Sequence, residues 1–524
     1  MSVLDEPPLR DDPVLGQSEE KGSGGRAASI LNGRRRPLSR PVWFIVAAAV
    51  ALELVVAGRY GYHRDELYFL ASFHHLAVSY VDQPVLTPLA AGFGNAVFGG
   101  SLIGFRLLPA LSLGGLVVMT GLFAAELGAG RLGQVIAATS TALCAEFLAA
   151  GHLVSPTPFD QIAWAVLSYL VLRLVRTGDP RRWLLIGLVA GVALENKWNP
   201  VFLFLGLGVG FLLTPERRLL RSWYLVGGAA LAVALWTPSL VWQALHGWPN
   251  FAVFAALGHQ AGHNRAIYLP AQVVYTGLVA TVVWVAGLLW LFRNPAARPY
   301  RLFGWAVVVV LALVWVLGGK PYYAGPVFVV LFAAGAVPLE GFLNSERRRA
   351  LRPAVFLSAL VFTGAAEVPV ALPVLPARTL ATVPLQNINY DLAETIGWRQ
   401  QVALVDSVYR TLPPAQRRTA VILTDNYGEA GAIDRYGPSM GLPHAYSGNN
   451  NFWLWGPPHE PRGVTIDVDV SPALLGRYFT HVRLVATFHN RFGVKDDEQG
   501  RQIYLATGQR VSWAAMWPMI RHYD

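Results

Sequence analysis

The chain has 524 residues, 54% of them hydrophobic and only 14% charged, with a mean hydropathy of +0.40 and a net charge of +10. Soluble proteins carry roughly 25% charged residues, so this composition excludes an ordinary water-soluble enzyme and equally a disordered, collagen-like or coiled-coil chain. It points to a polytopic, all-α membrane protein. The basic excess sits in clusters between apolar runs, which marks membrane topology and not a nucleic-acid surface. Cys144 is the single cysteine, so neither a disulfide framework nor a cysteine-based metal site can be built.

Residues 1–40 are polar and rich in Gly, Ser, Pro and charge, and read as a disordered cytoplasmic tail. The first apolar run, 42–57, follows Arg34, Arg35, Arg36 and Arg40 and lies too far from the start to be a cleaved signal peptide, so it reads as a retained span. Further spans are predicted near 104–126, 131–150, 158–176, 183–199, 200–213, 223–245, 270–292, 302–318, 322–341 and 353–372, making about eleven within a membrane domain of 41–372. With the N-terminus inside, Arg131, Arg176, Arg181, Arg182, Arg217, Arg218, Arg221, Arg293, Arg298, Arg301, Arg347 to Arg349 and Arg352 all fall on the cytoplasmic side. The external segments are then a long loop at 59–103, 151–158, a turn at 197–200, 246–269, 318–321 and the tail from 373 to 524. In that tail Thr419–Thr424 and His481–Phe488 pattern as strands and Gly428–Arg435 as a short helix, predicting a small extracytoplasmic α/β domain. No internal repeat is evident, which gives an inverted-repeat transporter no support.

In a chain so poor in charge the exceptions stand out. The first external loop reads Gly61-Tyr-His-Arg-Asp-Glu-Leu-Tyr-Phe-Leu70 and then Tyr80-Val-Asp-Gln-Pro84. Asp65 and Glu66, directly after a span, suit a general base with a supporting acid; the same pair also suits the N-terminus of a surface helix carrying Leu67, Leu70 and Ala71. Of 42 basic residues only four are lysines, and two of these, Lys197 and Lys320, lie at external boundaries where topology calls for no positive charge. An ammonium there fits a phosphate oxygen, or simply snorkels to the surface. Asp160 opens a span, where a carboxylate is costly unless wet or paired, for instance with an arginine. Glu53, Glu126, Glu146 and Glu195 read as packing or pairing residues. His259 and His263 have a zinc-like spacing but no third ligand, and their glycine neighbours favour a mobile loop. The segment Tyr446–Gly456 mixes amides with aromatics, a combination that either binds sugar or packs the tail on the membrane domain.

Taken in order and on one external face, these motifs resemble the GT-C membrane glycosyltransferases, in particular bacterial family 39 with the protein O-mannosyltransferases and the aminoarabinose transferases. The resemblance covers about 41–372. It matches Asp65-Glu66 to the acidic pair that opens the family's first external loop, Pro84 to the proline closing that loop's amphipathic stretch, and Asp160, Lys197 and Lys320-Pro-Tyr-Tyr323-Ala-Gly-Pro326 to later motifs. Where the aminoarabinose enzymes carry an Arg and a Lys, this chain has Tyr68 and Gln83, so phosphate binding passes to Lys197, Lys320, Arg64 or Arg106. The resemblance implies transfer of a sugar, with inversion, from a polyprenyl-phosphate donor in the bilayer to an extracytoplasmic acceptor hydroxyl. Asp65 is the implied base and Glu66 its support, with Lys197, Lys320, Tyr322 and Tyr323 near the departing phosphate. No metal or other cofactor and no nucleic acid is called for. A non-enzymatic glycan-binding membrane protein is the alternative, with a lipid or sugar transporter behind it.

Overall fold

A computed structural model describes residues 37–344, 351–459 and 463–523; the expected tail at 1–40 lies almost wholly outside them, as do Arg34 to Arg36 and Arg347 to Arg349. Among the described residues six helices are long and apolar enough to cross a membrane: Leu102–Glu126, Pro156–Thr177, Trp223–Leu245, Pro295–Leu317, Pro321–Leu343 and Leu351–Ala371. Two helix pairs pass the same test together but are bent, Arg131–Ala142 with Ala145–His152 by 57° and Pro249–Thr276 with Leu278–Arg293 by 106°. The count is therefore six to eight, and the eleven expected are not reached by this measure.

The difference has local causes. Segments 183–199 and 200–213 form helices of only 13 residues each, Arg182–Leu194 and Pro200–Leu212. At 1.5 Å per residue each is about 20 Å long, well short of a hydrocarbon core of about 30 Å. The expected span 270–292 breaks at Gly277, whose φ of 88° is open to glycine and strained for other residues. The helical stretch before that bend replaces the mobile loop expected around His259 and His263. Among the described residues, no group of three or more His, Cys, Asp or Glu side chains is placed to hold a metal ion.

Helices pack through small residues, as membrane bundles do when backbones approach closely. Gly187 faces the Gly228 carbonyl and Gly335 the Val283 carbonyl, positions where a Cβ would overlap backbone. Two acids inside the bundle are paired with basic side chains: Glu126 accepts from Arg173 at 2.5 Å and also from Arg176, and Glu53 lies 3.2 Å from His152.

After the last span the chain forms a five-stranded sheet in the order β2-β1-β3-β5-β4, with β1 Val421–Thr424, β2 Ala445–Ser447, β3 Thr465–Val468, β4 Phe479–Thr487 and β5 Gln502–Gln509. Strand β1 runs parallel to both β2 and β3, whereas β5 is antiparallel to β3 and β4. The expected strands at 419–424 and 481–488 and the helix at 428–435 are present with ends moved by at most two residues; β2, β3 and β5 were not expected. Strand β1 is buried on both faces. Ile422 packs with Leu67, Phe69, Ala430 and Ile433, whereas Val421 and Leu423 pack with Trp513, Met516 and Trp517. Leu67 and Phe69 belong to the external loop, so one apolar core joins that loop to the tail domain.

Candidate active site

The loop helix Arg64–His74 begins with a reciprocal cap. The His63 ring accepts from the Asp65 backbone N–H at 3.1 Å, and Glu66 Oε2 accepts from the His63 N–H at 2.9 Å. This arrangement satisfies backbone donors that a helix start leaves orphaned. The two adjacent acids thereby receive opposite environments.

Glu66 is fully buried. Besides the His63 N–H it accepts from Arg106 Nε at 3.0 Å, Arg106 Nη2 at 2.7 Å and the Val154 N–H at 3.0 Å. A carboxylate offers about four acceptor sites, so none is left for a substrate. Arg106 is equally committed: it also donates to the carbonyls of Ala57 at 2.9 Å and Gly61 at 2.7 Å, and lies 3.0 Å from His152 Nε2. The expected phosphate-binding role of Arg106 is corrected on this geometry, because its guanidinium is buried and every donor faces protein.

Asp65 keeps a 36% exposed side chain. Its Oδ1 accepts the Tyr427 hydroxyl at 2.8 Å, and Arg64 Nε lies 3.7 Å away. Arg64 does not face a lipid phosphate either; the tail domain holds it through the hydroxyls of Tyr427 at 3.2 Å and Tyr390 at 3.3 Å and through Asp497 at 3.3 Å. Tyr427 is in turn fixed by Asn449 on its N–H at 3.1 Å and by the Tyr68 ring at 4.6 Å. Its hydroxyl thus accepts from Arg64 and donates to Asp65.

Tyr68 and Gln83, the departures from the resembled pattern, are both buried. The Tyr68 hydroxyl donates to Asp82 at 2.8 Å and accepts from Asn451, which places it at the seam with the tail domain and not at a phosphate. The Gln83 side-chain amide has no hydrogen-bond partner among the described residues. In the Tyr446–Gly456 segment the buried Asn449 and Asn451 serve packing, Asn451 also accepting the Val81 N–H at 2.9 Å. Of the two readings of that segment, docking on the loop is the one its geometry fits.

The other motifs converge. Leu86 N–H donates to the Glu195 carbonyl at 3.1 Å, Asn196 bridges Thr87 at 3.0 Å and the Pro156 carbonyl at 2.8 Å, and Asn199 bridges Asp160 at 2.7 Å and the Tyr323 carbonyl at 3.1 Å. Asp160 is buried and pairs with Asn199 and the Trp164 indole at 3.0 Å, with no arginine beside it. Lys197 lies above the Tyr323 ring at 4.9 Å and the Tyr322 ring at 5.5 Å, a favourable placement for a cation. Neither Lys197 nor Lys320 forms an ion pair within 4 Å among the described residues, and both are half-buried.

The segment joining membrane and tail domains enters this site unforeseen. His63 Nε2 faces Asp391 Oδ1 at 3.6 Å. Burial disfavours the imidazolium, but Asp65, Asp391 and Glu394 outweigh it and raise the His63 pKa. Burial works against the Asp391 carboxylate too, yet His63, Lys320 and Arg64 hold its pKa below the usual value. Asp391 and Asp65 both lie within electrostatic reach of the Tyr322 hydroxyl. Gly61 permits the approach, since a Cβ there would sit 2.7 Å from the Thr395 carbonyl. Asp65 and Asp391 on either side of His63, and Lys197 and Lys320 within electrostatic reach of each other, thus group around Tyr322 and Tyr323 in one site, an arrangement able to take up a proton on one side and meet an anion on the other.

Residues 82–242 match the model of the dolichyl-phosphate-mannose-protein mannosyltransferase family. Among solved structures the chain is similar to ArnT from Cupriavidus metallidurans in the apo state, with a TM-score of 0.54 at 13% identity over 88% of this chain and 97% of that one. The same protein bound to undecaprenyl phosphate aligns with a TM-score of 0.53 at 15% identity over the same shares. Arabinofuranosyltransferase AftD from Mycobacteria aligns at 0.51 and 15% identity over 91% of this chain but 40% of its own length. A search of curated proteins returns no match.

Proposed function

We propose, for a multi-span membrane protein with the fold of the GT-C glycosyltransferases, that it transfers a sugar from a polyprenyl-phosphate donor to an extracytoplasmic acceptor hydroxyl. The observation that carries this reading is the contrast at the loop helix: Asp65 is open and held from behind, within electrostatic reach of Tyr322, over whose ring Lys197 lies, and neither Lys197 nor Lys320 has a carboxylate within 4 Å among the described residues. The match to a dolichyl-phosphate-mannose family and the undecaprenyl phosphate on ArnT support the donor class. The arginine clusters support a topology with a cytoplasmic N-terminus and with the site and tail domain outside.

The acceptor oxygen attacks the anomeric carbon and passes its proton to Asp65 while the bond from that carbon to the phosphate oxygen breaks on the opposite face, inverting the centre. Polyprenyl phosphate leaves with the bonding electrons. Lys197 and Lys320, with the Tyr323 hydroxyl, stabilise a charge that grows as the bond breaks, which is the differential stabilisation catalysis needs. Glu66, Arg106 and His63 fix the start of the helix and act through Asp65.

The test incubates membranes from a deletion strain and its complement with labelled polyprenyl-phosphate sugars. Label appearing in an envelope fraction only with the complement supports the reading; equal labelling in both sinks it. Lys320→Met is expected to cut the rate about 10²-fold, the scale of losing one donor to developing charge, and to weaken binding of undecaprenyl phosphate. Tyr427→Phe removes the hydroxyl that orients Asp65, so kcat should fall about tenfold or more, and since a hydrogen bond to a charged group contributes about 1.5–3 kcal/mol of stability the melting temperature in detergent should fall modestly, with Tyr68 stacking and the Asn449 tie keeping the fold.

A further inference from the structure

The membrane domain supplies Asp65 and both lysines, but the Asp391 carboxylate comes from the connecting segment, 3.6 Å from His63 and within electrostatic reach of Lys320 and Tyr322. Its side chain is 52% exposed, and His63 is its one ion-pair partner among the described residues. The segment does not need that contact to stay in place. Asn389 donates to the Val370 carbonyl at 2.9 Å, Trp398 donates to the Glu394 carbonyl at 2.8 Å, and Leu392, Ala393 and Ile396 are buried in an apolar cluster with Leu380 and Val494. The carboxylate is therefore presented on an anchored backbone and aimed by a buried ring.

Its position selects a ligand. On one side a single imidazole separates it from Asp65, where the acceptor hydroxyl loses its proton; on the other lies Lys320, where the phosphate departs. A carboxylate repels phosphate and accepts hydrogen bonds from hydroxyls. We infer that Asp391 is a substrate-binding residue that accepts hydrogen bonds from the hydroxyls of the sugar ring being transferred, with His63 as the positioning residue that holds it. The inference rests on the glycosyltransferase reading of the same site.

Binding to the full chain in nanodiscs separates the two. The probes are undecaprenyl phosphate alone and undecaprenyl phosphate carrying mannose, glucose, galactose or arabinose. Asp391→Asn, and Asp391→Ser as a second variant, should weaken binding of the sugar lipid that the wild type prefers by about tenfold or more, the scale of a hydrogen bond to a charged group, and leave bare undecaprenyl phosphate within twofold. Equal loss for both lipids would make Asp391 a structural tether and overturn the inference. So would unchanged binding of the sugar lipid, or a wild type that binds no sugar lipid better than the bare one. A wild type that binds none of the lipids removes the glycosyltransferase reading itself, a failure distinct from the others.

Discussion

Asp65→Asn is expected to lower sugar transfer about 10²–10⁴-fold, the contribution of a positioned general base, without loss of expression, fold or lipid binding. The substitution is nearly isosteric. An amide oxygen still accepts the Tyr427 hydroxyl, which now donates to Asp65 at 2.8 Å, and the helix cap uses the Asp65 backbone N–H and not its side chain. The hydrogen bond from Tyr427 and the helix cap thus survive the change, and what is lost is the carboxylate's charge and basicity. The measurement is single-turnover transfer of labelled sugar by purified protein, alongside thermal unfolding and undecaprenyl phosphate binding. Transfer at the wild-type rate would remove Asp65 as the base, whatever else the site does.

The route from sequence to site was legible where a residue is rare and its neighbours are local. Asp65, Lys197 and Lys320 stand out because charge is scarce in this chain and lysine scarcer. Asp65 and Glu66, however, look alike in a sequence; what separates them is Arg106, forty positions on, and the Val154 N–H, brought in by a bundle that no local pattern specifies. The partners of Arg64 were hidden for the same reason, since Tyr427, Tyr390 and Asp497 all lie in the tail. Asp391 and Tyr427 carry no signal, because an Asp in a polar connector and a Tyr after a strand are ordinary. Apolar runs located the helices but not their bends: Gly277 has the composition of a span on both sides, and only its φ of 88° turns the chain. Strands β2 and β3, of three and four residues, are too short to show an alternation, and β3 is buried throughout, which erases the polar positions that mark a half-exposed strand.

Glu66→Gln is expected to do what Asp65→Asn does not, lowering stability and activity together. The Glu66–Arg106 pair is buried on both sides, with side chains 0% and 1% exposed. Removing one charge leaves the other uncompensated in a low dielectric, a cost of about 3–5 kcal/mol. Arg106 cannot relax toward solvent, since it also holds the Ala57 and Gly61 carbonyls, and the His63 and Val154 N–H groups both rely on Glu66. Arg106→Met should therefore be at least as damaging, and the double variant should lose less than the two single losses added, because each single change already dissolves the shared pair. Thermal unfolding of the four proteins in one detergent gives the coupling energy directly. Strict additivity would mean that the pair contributes no interaction of its own, and a Glu66→Gln protein with wild-type melting but abolished transfer would return Glu66 to the chemistry, next to Asp65 and not behind it.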